Sequence, residues 1–307
     1  MHSEEKLPSP GRPLGRVCWV YCLALLLLVG CTAVLLAVVR YFAPVFGAAD
    51  TSTLLLQTVV MFAVVLPVVR HLLPERSVTM PPSRRKLPAP LTVRLFFVGL
   101  AMMLTVSLAT MALLSWFAPE LTDPLQLVVE PSNLPVLVLV GVILGPLGEE
   151  LLFRGLLLRS LRDYGDGICC LTSGLFFGLF HINLYQMFYA AVLGAFFAWL
   201  VRRTGRLRIA VAFHVLYNAL GLLVLPWATG SESITVKTAA SVVIIAVIVF
   251  GFIQFAFRVA YLEPDPGPLP LSFRRKVLLL FTRPGIWVYI ALCVALTAVV
   301  VLGMQML

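Results

Sequence analysis

The sequence predicts an all-α protein, a polytopic transmembrane helical bundle with about eight or nine membrane-spanning helices. Of its 307 residues, 61% are hydrophobic and only 12% are charged, whereas soluble domains carry roughly 25% charged residues. Apolar runs close to the 20 or so residues that a helix needs to cross about 30 Å of hydrocarbon recur along the whole chain. The sequence therefore indicates a multi-pass integral protein of the cell membrane.

The apolar runs give nine candidate spans. They cover residues 17–39, 53–69, 91–117, 134–160, 167–182, 184–201, 207–226, 237–259 and 286–305. The fourth is long and the fifth is short, so eight spans with one re-entrant piece remain an alternative. The first is too long for a signal peptide and lacks a small-residue cleavage site, so we expect it to be retained. The resulting segments are a flexible cytoplasmic tail (1–15), N-terminal transmembrane helices (16–129), a central core (130–226) and C-terminal transmembrane helices (227–307).

The net charge of +9 follows the predicted membrane topology and does not indicate nucleic-acid binding. Loops rich in arginine and lysine alternate with loops that carry acidic residues, which predicts a cytoplasmic N-terminus and an outer C-terminus. The loops around 76–90 and 202–208 are then cytoplasmic, and the loop around 118–132 faces outward. The basic loops also predict contact with anionic membrane lipids.

The remaining composition gives no sign of a soluble domain. Six cysteines occur without CxxC spacing, so we expect ordinary apolar side chains rather than a disulfide or metal framework. The longest loops, 70–90 and 263–277, are proline-rich and basic, which favours chains that run along the membrane surface without folding.

The stretch "GPLGEELLFRG", residues 145–155, places three charged side chains in an apolar segment. On a helix, Glu150 and Arg154 stand four residues apart and can pair, with the acid first, which is the favoured order. Glu149 points about 100° away, so its partner must come from another helix. Pro146 lacks a backbone donor and leaves one helix carbonyl unpaired. Because ionisable groups are costly at membrane depth, this stretch marks a functional site.

Two further motifs follow on later spans. In "FFGLFHINLY", Phe177 and His181 are four residues apart, and in "FHVLYNAL", His214 and Asn218 repeat that spacing, so each pair shares one helix face. A single embedded histidine is more often a packing residue. The chain has only four histidines, and the two embedded ones follow the glutamates, which favours a shared site.

These side chains are suited to hydrolysis of a peptide bond. Glu149 can accept a proton from water, His181 can orient that water, and His214 with Asn218 can stabilise an oxyanion. Ser173 has no obvious base and is not needed as a nucleophile. Alternatively, Glu149, His181 and His214 could hold a zinc ion that activates the water. The sequence does not separate these two mechanisms.

The ordered motifs EExxxR, FxxxH and HxxxN resemble those of the CAAX protease and bacteriocin-processing enzyme family of intramembrane proteases, over about residues 130 to 225. The resemblance implies a catalytic core in 130–226 and a metal dependence that is disputed for the family. It also implies a peptide or lipidated protein substrate, such as a prenylated CAAX protein, although many bacterial members lack one. It assigns catalysis to Glu149, His181, His214 and Asn218, and support to Glu150, Arg154 and Phe177.

We therefore predict a multi-pass intramembrane endopeptidase. Its cavity is expected to face the cytoplasm, because Glu149 lies nearer the basic end of its span and His214 is about two turns inside its own. One alternative is a non-catalytic scaffold or immunity-type protein that retains the protease fold. Another is a proton-coupled transporter, but the polar groups are confined to three spans and no paired broken helices occur in two halves.

Overall fold

In the part of the chain that the structure describes, the fold consists of helices and their connections. The computed structural model describes residues 11–43, 50–73, 88–124, 133–257 and 264–305. The helices are α1 (Gly11–Phe42), α2 (Asp50–Val60, Met61–Val65 and Leu66–Leu72), α3 (Ala89–Phe117), α4 (Leu134–Val136, Leu137–Leu144, Gly145–Glu150, Leu151–Leu157 and Leu158–Leu161), α5 (Gly165–Phe180), α6 (Leu184–Thr204), α7 (Leu207–Ala219, Leu220–Val224 and Leu225–Gly230), α8 (Ile234–Ala256), α9 (Phe273–Phe281) and α10 (Pro284–Gln305).

Eight stretches within the described residues are long and apolar enough to cross a membrane, which confirms a multi-pass integral membrane protein. One of them, residues 134–180, combines the predicted fourth and fifth spans. It is broken by a 3-10 turn at Arg162–Tyr164 and by Gly165, whose φ is +83°. Helix α5 has 16 residues and rises about 24 Å, less than the roughly 30 Å of a bilayer core. This is the short element that the sequence predicts.

The first helix begins earlier than the sequence predicts. Residues 1–10 of the predicted flexible tail lie outside the described residues, but Gly11 to Gly15 are already helical. Leu14 is fully buried and Gly11 lies against the Arg283 guanidinium, so packing against the start of α10 orders this turn. The predicted loop regions 74–87 and 125–132 also lie outside the described residues, so the orientation of the chain in the membrane stays a prediction.

Helices α2, α4 and α7 contain π-helical segments, in which the backbone hydrogen bond spans five residues instead of four. The segments Met61–Val65, Leu137–Leu144 and Leu220–Val224 each end two residues before a proline. A proline cannot donate to the backbone ladder, and its ring clashes with the carbonyl four residues earlier. The wider turn accommodates that ring, an adjustment that embedded helices tolerate.

Helices α5 and α6 form a closely packed hairpin that places His181 at its tip. A Cβ atom on Gly174 would lie 2.6 Å from the Ala191 carbonyl oxygen, and one on Gly178 would lie 2.5 Å from that of Met187. Glycine at these positions lets the two backbones approach, as is usual for small residues in embedded helices. The Ser173 hydroxyl is buried and donates to the Gly194 carbonyl at 3.2 Å, so it serves this packing.

Tyrosines on the flanking helices donate hydrogen bonds to the backbone of the central ones. Tyr21 of α1 donates to the Leu152 carbonyl of α4 at 2.6 Å, and Tyr289 of α10 donates to the Phe176 carbonyl of α5 at 2.8 Å. Both tyrosines are fully buried. The hydroxyls thereby satisfy their own hydrogen-bonding need while fixing the position of the helices that carry the predicted motifs.

The loop before α9 is anchored to the protein, contrary to the prediction of a chain that only runs along the surface. The Asp166 carboxylate accepts hydrogen bonds from Arg202 Nε at 2.8 Å and from the Asp265 amide at 2.9 Å. The amide of Asp166 in turn donates to the Asp265 carbonyl at 2.8 Å. Lys276 is buried and donates to the Pro266 carbonyl. This cluster joins the basic ends of α5, α6 and α9.

All six cysteines are unpaired in the structure. Four of them are buried and two are partly buried. They pack as small apolar side chains.

Candidate active site

Helices α4, α5 and α7 bring the predicted polar residues together. Glu149, Glu150 and Arg154 lie in the middle of α4, and the His214 side chain of α7 contacts both glutamates. The Phe177 ring packs edge-on against the imidazoles of both His181 and His214, with ring centroids 4.8 and 5.7 Å apart. Residues from three separate helices therefore surround one aromatic ring.

Glu150 and Arg154 form the ion pair that their spacing predicts. Arg154 Nη1 lies 2.9 Å from Glu150 Oε1, and both side chains are fully buried. The same carboxylate oxygen accepts a hydrogen bond from His214 Nδ1 at 3.0 Å. The sequence did not predict this second contact, because it depends on how α4 and α7 pack. Glu150 therefore supports His214 as well as Arg154.

Arg154 is held by aromatic rings and by the opposite charge of Glu150. Its guanidinium carbon lies 4.3, 5.3 and 5.9 Å from the ring centroids of Phe177, Phe197 and Phe153. The 2.9 Å contact with Glu150 is close in distance but not aligned, so none of the three guanidinium nitrogens has a well-directed hydrogen-bond partner among the described residues. Cation–π attraction is strongest in such dry surroundings, at about 2 kcal/mol or more.

Glu149 points away from the Glu150–Arg154 pair, as helical geometry predicts. Its Oε2 atom lies 3.6 Å from His214 Nε2, so its partner comes from another helix. The Glu149 side chain is 24% exposed, whereas the Glu150 side chain is fully buried. His214 thus lies between two carboxylates, one buried and one accessible.

His181 lies in the turn between α5 and α6. Its Nδ1 atom is 2.8 Å from the Phe177 carbonyl oxygen, which can only accept, so Nδ1 carries the proton. Nε2 of the neutral ring is then an acceptor. The next residue, Ile182, has φ +52°, a left-handed conformation that is strained for a β-branched side chain. Such strain often accompanies functional sites.

Asn218 compensates for the donor that Pro146 lacks. In the π-helical register, the amide of Gly145 donates to the Val140 carbonyl, so residue 146 would donate to the Gly141 carbonyl. Proline cannot do so, and the Asn218 side-chain amide donates to Gly141 instead, at 2.9 Å. One hydrogen of the Asn218 amide remains for other partners.

Polar residues that the sequence analysis did not single out surround the His181 turn. Asn183 begins α6, with its side chain accepting from the Tyr185 amide at 2.9 Å and donating to Asp123 at 2.9 Å. The Tyr185 hydroxyl donates to the Leu121 carbonyl. The segment after α3 is thereby tied to the tip of the α5–α6 hairpin. The hydrogen-bonding side chains Asp123 and Asn183 could have been noted from the sequence, but nothing in it links them.

The predicted zinc site depends on how Glu149, His181 and His214 are arranged. No group of three or more histidine, cysteine, aspartate or glutamate side chains within the described residues is arranged to hold one. The Nδ1 atoms of His181 and His214 face the Phe177 carbonyl and Glu150, so Nε2 is the nitrogen left for a further partner on each ring. Histidines that bind a metal usually have their other ring nitrogen bonded in this way. The zinc alternative with Glu149, His181 and His214 as ligands therefore stays a prediction.

Comparison with known proteins bears on the same helices. Residues 131–220 match the family model described as type II CAAX prenyl endopeptidase Rce1-like. The predicted family resemblance is confirmed over this segment. An 85-residue stretch is 29% identical to "Putative membrane peptidase YdiL" of Bacillus subtilis (strain 168), covering 27% of this chain. No solved structure matches the chain.

The matches cover only part of each protein. The aligned stretch spans about a third of the Bacillus relative, 35% of its length. The family segment contains α4 to α6 and the first part of α7, and hence all seven predicted site residues. Helices α1 to α3 and α8 to α10 lie outside it.

Proposed function

We propose that this protein is an intramembrane endopeptidase that hydrolyses peptide bonds of a membrane-associated substrate. The observation that carries the proposal is the contact of His214 with both Glu149 and Glu150 inside the segment that matches the CAAX endopeptidase model. Burying two carboxylates and an imidazole at membrane depth costs free energy, so their presence there indicates a functional site. The combination of this cluster with that family match favours hydrolysis.

Glu149 is the general base in this proposal. It is the accessible member of the two glutamates, and its carboxylate is not engaged by Arg154. Glu149 takes a proton from water, and the resulting hydroxide attacks the carbonyl carbon of the peptide bond. When the C–N bond breaks, Glu149 returns that proton to the leaving nitrogen, so that it is unprotonated again for the next turnover.

His181 orients the attacking water. The hydrogen bond from Nδ1 to the Phe177 carbonyl leaves Nε2 as an acceptor for one water hydrogen. The ring is also held edge-on by Phe177. An acceptor fixed in this way directs the water lone pair without competing for the proton that Glu149 removes.

His214 and Asn218 stabilise the oxyanion. A protonated His214 balances the charges of Glu149, Glu150 and Arg154, since two carboxylates then face two cations. Its Nε2–H can turn from Glu149 to the developing oxyanion, and the second amide hydrogen of Asn218 can join it. Each preorganised donor of this kind contributes about 2.7 to 4 kcal/mol in known hydrolases.

The substrate is a peptide or lipidated protein, and a prenylated CAAX chain is the first candidate because the matching family model is described by that activity. No step of the mechanism requires a metal ion. The predicted cytoplasmic opening of the site remains part of the proposal and can be tested by accessibility labelling of single-cysteine variants.

Hydrolysis can be tested directly with the full-length protein in proteoliposomes. Farnesylated and unmodified CAAX peptides and unrelated membrane-anchored peptides are incubated in H₂¹⁸O, and the products are analysed by mass spectrometry. We expect a new carboxyl terminus that carries ¹⁸O. We expect Glu149→Gln to lower the rate by about 10² to 10⁴, the usual contribution of a positioned base.

The matched control is Glu120→Gln, which removes the same charge from an exposed residue outside the site. It should cleave like wild type. Cleavage by Glu149→Gln at the wild-type rate would refute the assignment of the base. If wild type cleaves none of the peptides, the scaffold alternative gains support.

A further inference from the structure

Helix α9 exposes large apolar side chains beside two of its charged ones. Its sequence is FRRKVLLLF, and Lys276 is buried while Phe273 and Leu278 are 58% and 55% exposed. Large apolar side chains on the outside of a short helix are unfavourable in water. They are favourable where the helix lies in the interface between headgroups and acyl chains.

The neighbours of α9 place it at the end of the bundle where α5 begins and the basic residues lie. Phe273 packs over Gly167 at the start of α5, and the buried Lys276 contacts the loop that is tied to Asp166. Trp287, at the start of α10, is 56% exposed and donates to the Phe281 carbonyl. Exposed tryptophan is typical of membrane interfaces.

A shallow, open groove of about 260 Å³ runs along one face of this helix. Its walls are almost entirely apolar and are formed by Leu271, Arg275, Leu278, Leu279 and Thr282. The last four are spaced at one and two helical turns, so they form a continuous stripe. An acyl chain fits such a surface, and Arg275 stands at its polar edge.

Among the residues that the structure describes, the arginines beside the groove have no acidic partner. Arg274 and Arg275 are exposed, and within the described residues neither guanidinium forms an ion pair. Arg283, whose Nε donates to the Leu279 carbonyl, adds a third cation nearby. Asp265, the acid on the preceding loop, is instead directed toward Arg202 and the Gly267 amide.

We propose that this groove binds one anionic phospholipid, with its phosphate held by Arg274 and Arg275 and an acyl chain along Leu278 and Leu279. Arginine pairs with phosphate oxygens through two parallel hydrogen bonds. The groove supplies the apolar contact that a free phosphate does not use. This site lies apart from the glutamate and histidine cluster and does not depend on the proposed hydrolysis.

Fluorescence quenching of Trp287 tests the site in the full-length protein. The protein is reconstituted in nanodiscs of phosphatidylcholine that contain brominated phosphatidylglycerol or brominated phosphatidylcholine at equal mole fraction. The Trp287 signal is the difference between wild type and Trp287→Phe. We expect stronger quenching by the anionic lipid, and about a fivefold loss of relative affinity for each arginine replaced by glutamine.

Arg274→Lys/Arg275→Lys should retain most of the preference, since the charge remains. The matched control is Arg208→Gln, which replaces an exposed arginine at the start of α7. Its Trp287 fluorescence should be quenched as strongly as that of wild type. Equal quenching of wild type by both lipids, or a preference unchanged in Arg274→Gln/Arg275→Gln, would overturn the proposal. Reversal by excess inorganic phosphate would show a phosphate site rather than a lipid site and would overturn it as well.

Discussion

Replacing Arg154 by alanine should destabilise the folded protein strongly. The guanidinium lies 2.9 Å from Glu150 and contacts three aromatic rings, all without access to solvent. Its removal leaves a fully buried carboxylate whose remaining hydrogen-bond partner is His214. The ion pair itself need not be stabilising, because both charges lost their hydration. Leaving one of them alone is the costly change.

The expected loss is about 3 to 5 kcal/mol, the usual effect of removing one partner of a buried pair. The bond from His214 to Glu150 favours the lower end of that range. The lost cation–π contacts and the cavity left by the side chain increase the expected loss. At roughly 2 °C per kcal/mol for a large domain, the melting temperature should fall by at least about 6 °C.

The assay is thermal unfolding of the detergent-solubilised protein, with the yield of monodisperse protein as a second readout. Arg203→Ala is the matched control, because Arg203 is 34% exposed and lies 3.7 Å from Asp166. A partly exposed pair of this kind contributes about 1 kcal/mol at most. If Arg154→Ala melted within about 2 °C of wild type, the argument from the buried pair would be wrong.

Three further tests, which use five substitutions, separate structural from chemical roles. Glu149→Gln should abolish cleavage while leaving the melting temperature within about 2 °C of wild type. Glu150→Gln should mainly lower the folded yield. If both substitutions changed stability equally, the difference in burial between the two glutamates would not have the expected consequence. Asn218→Ala should lower stability by about 1 to 3 kcal/mol by leaving a carbonyl unpaired. Adding Pro146→Ala restores a backbone donor and should recover stability without recovering cleavage; recovery of both would show that the asparagine is only structural. Ile182→Gly removes backbone strain of about 1 kcal/mol or more, so the melting temperature should rise or stay constant while the cleavage rate falls at least tenfold. An unchanged cleavage rate would show that the strained turn does not serve the site.

The parts of the site that depend on one helix could be predicted from the sequence. The spacing of Glu150 and Arg154 predicted their contact, and the direction of Glu149 predicted a partner on another helix. Residue spacing on α7 placed His214 and Asn218 on one face, but it could not show that one would bond Glu150 and the other a carbonyl of α4. Those contacts depend on how two helices pack.

The fold likewise has some features that the sequence predicted and others that it could not predict. Apolar length predicted the embedded helices, and the 47-residue stretch 134–180 explains why eight and nine spans both fitted. The break at residues 162–165 lies in the short polar gap between the predicted fourth and fifth spans, although the sequence did not show that it consists of a 3-10 turn and a glycine with positive φ. The anchoring of the loop before α9 could not be foreseen either, because Asp166 and Asp265 are 99 residues apart.

The hydrogen bonds from Tyr21 and Tyr289 make the segment that matches the family model dependent on its surroundings. They link α1 and α10, near opposite ends of the chain, to backbone carbonyls of α4 and α5. A chimera that grafts residues 131–220 into the flanking helices of a relative would therefore need a hydroxyl donor at both places. Without them, two buried carbonyls would lose a donor, and the graft could keep all seven motif residues and still lose their alignment.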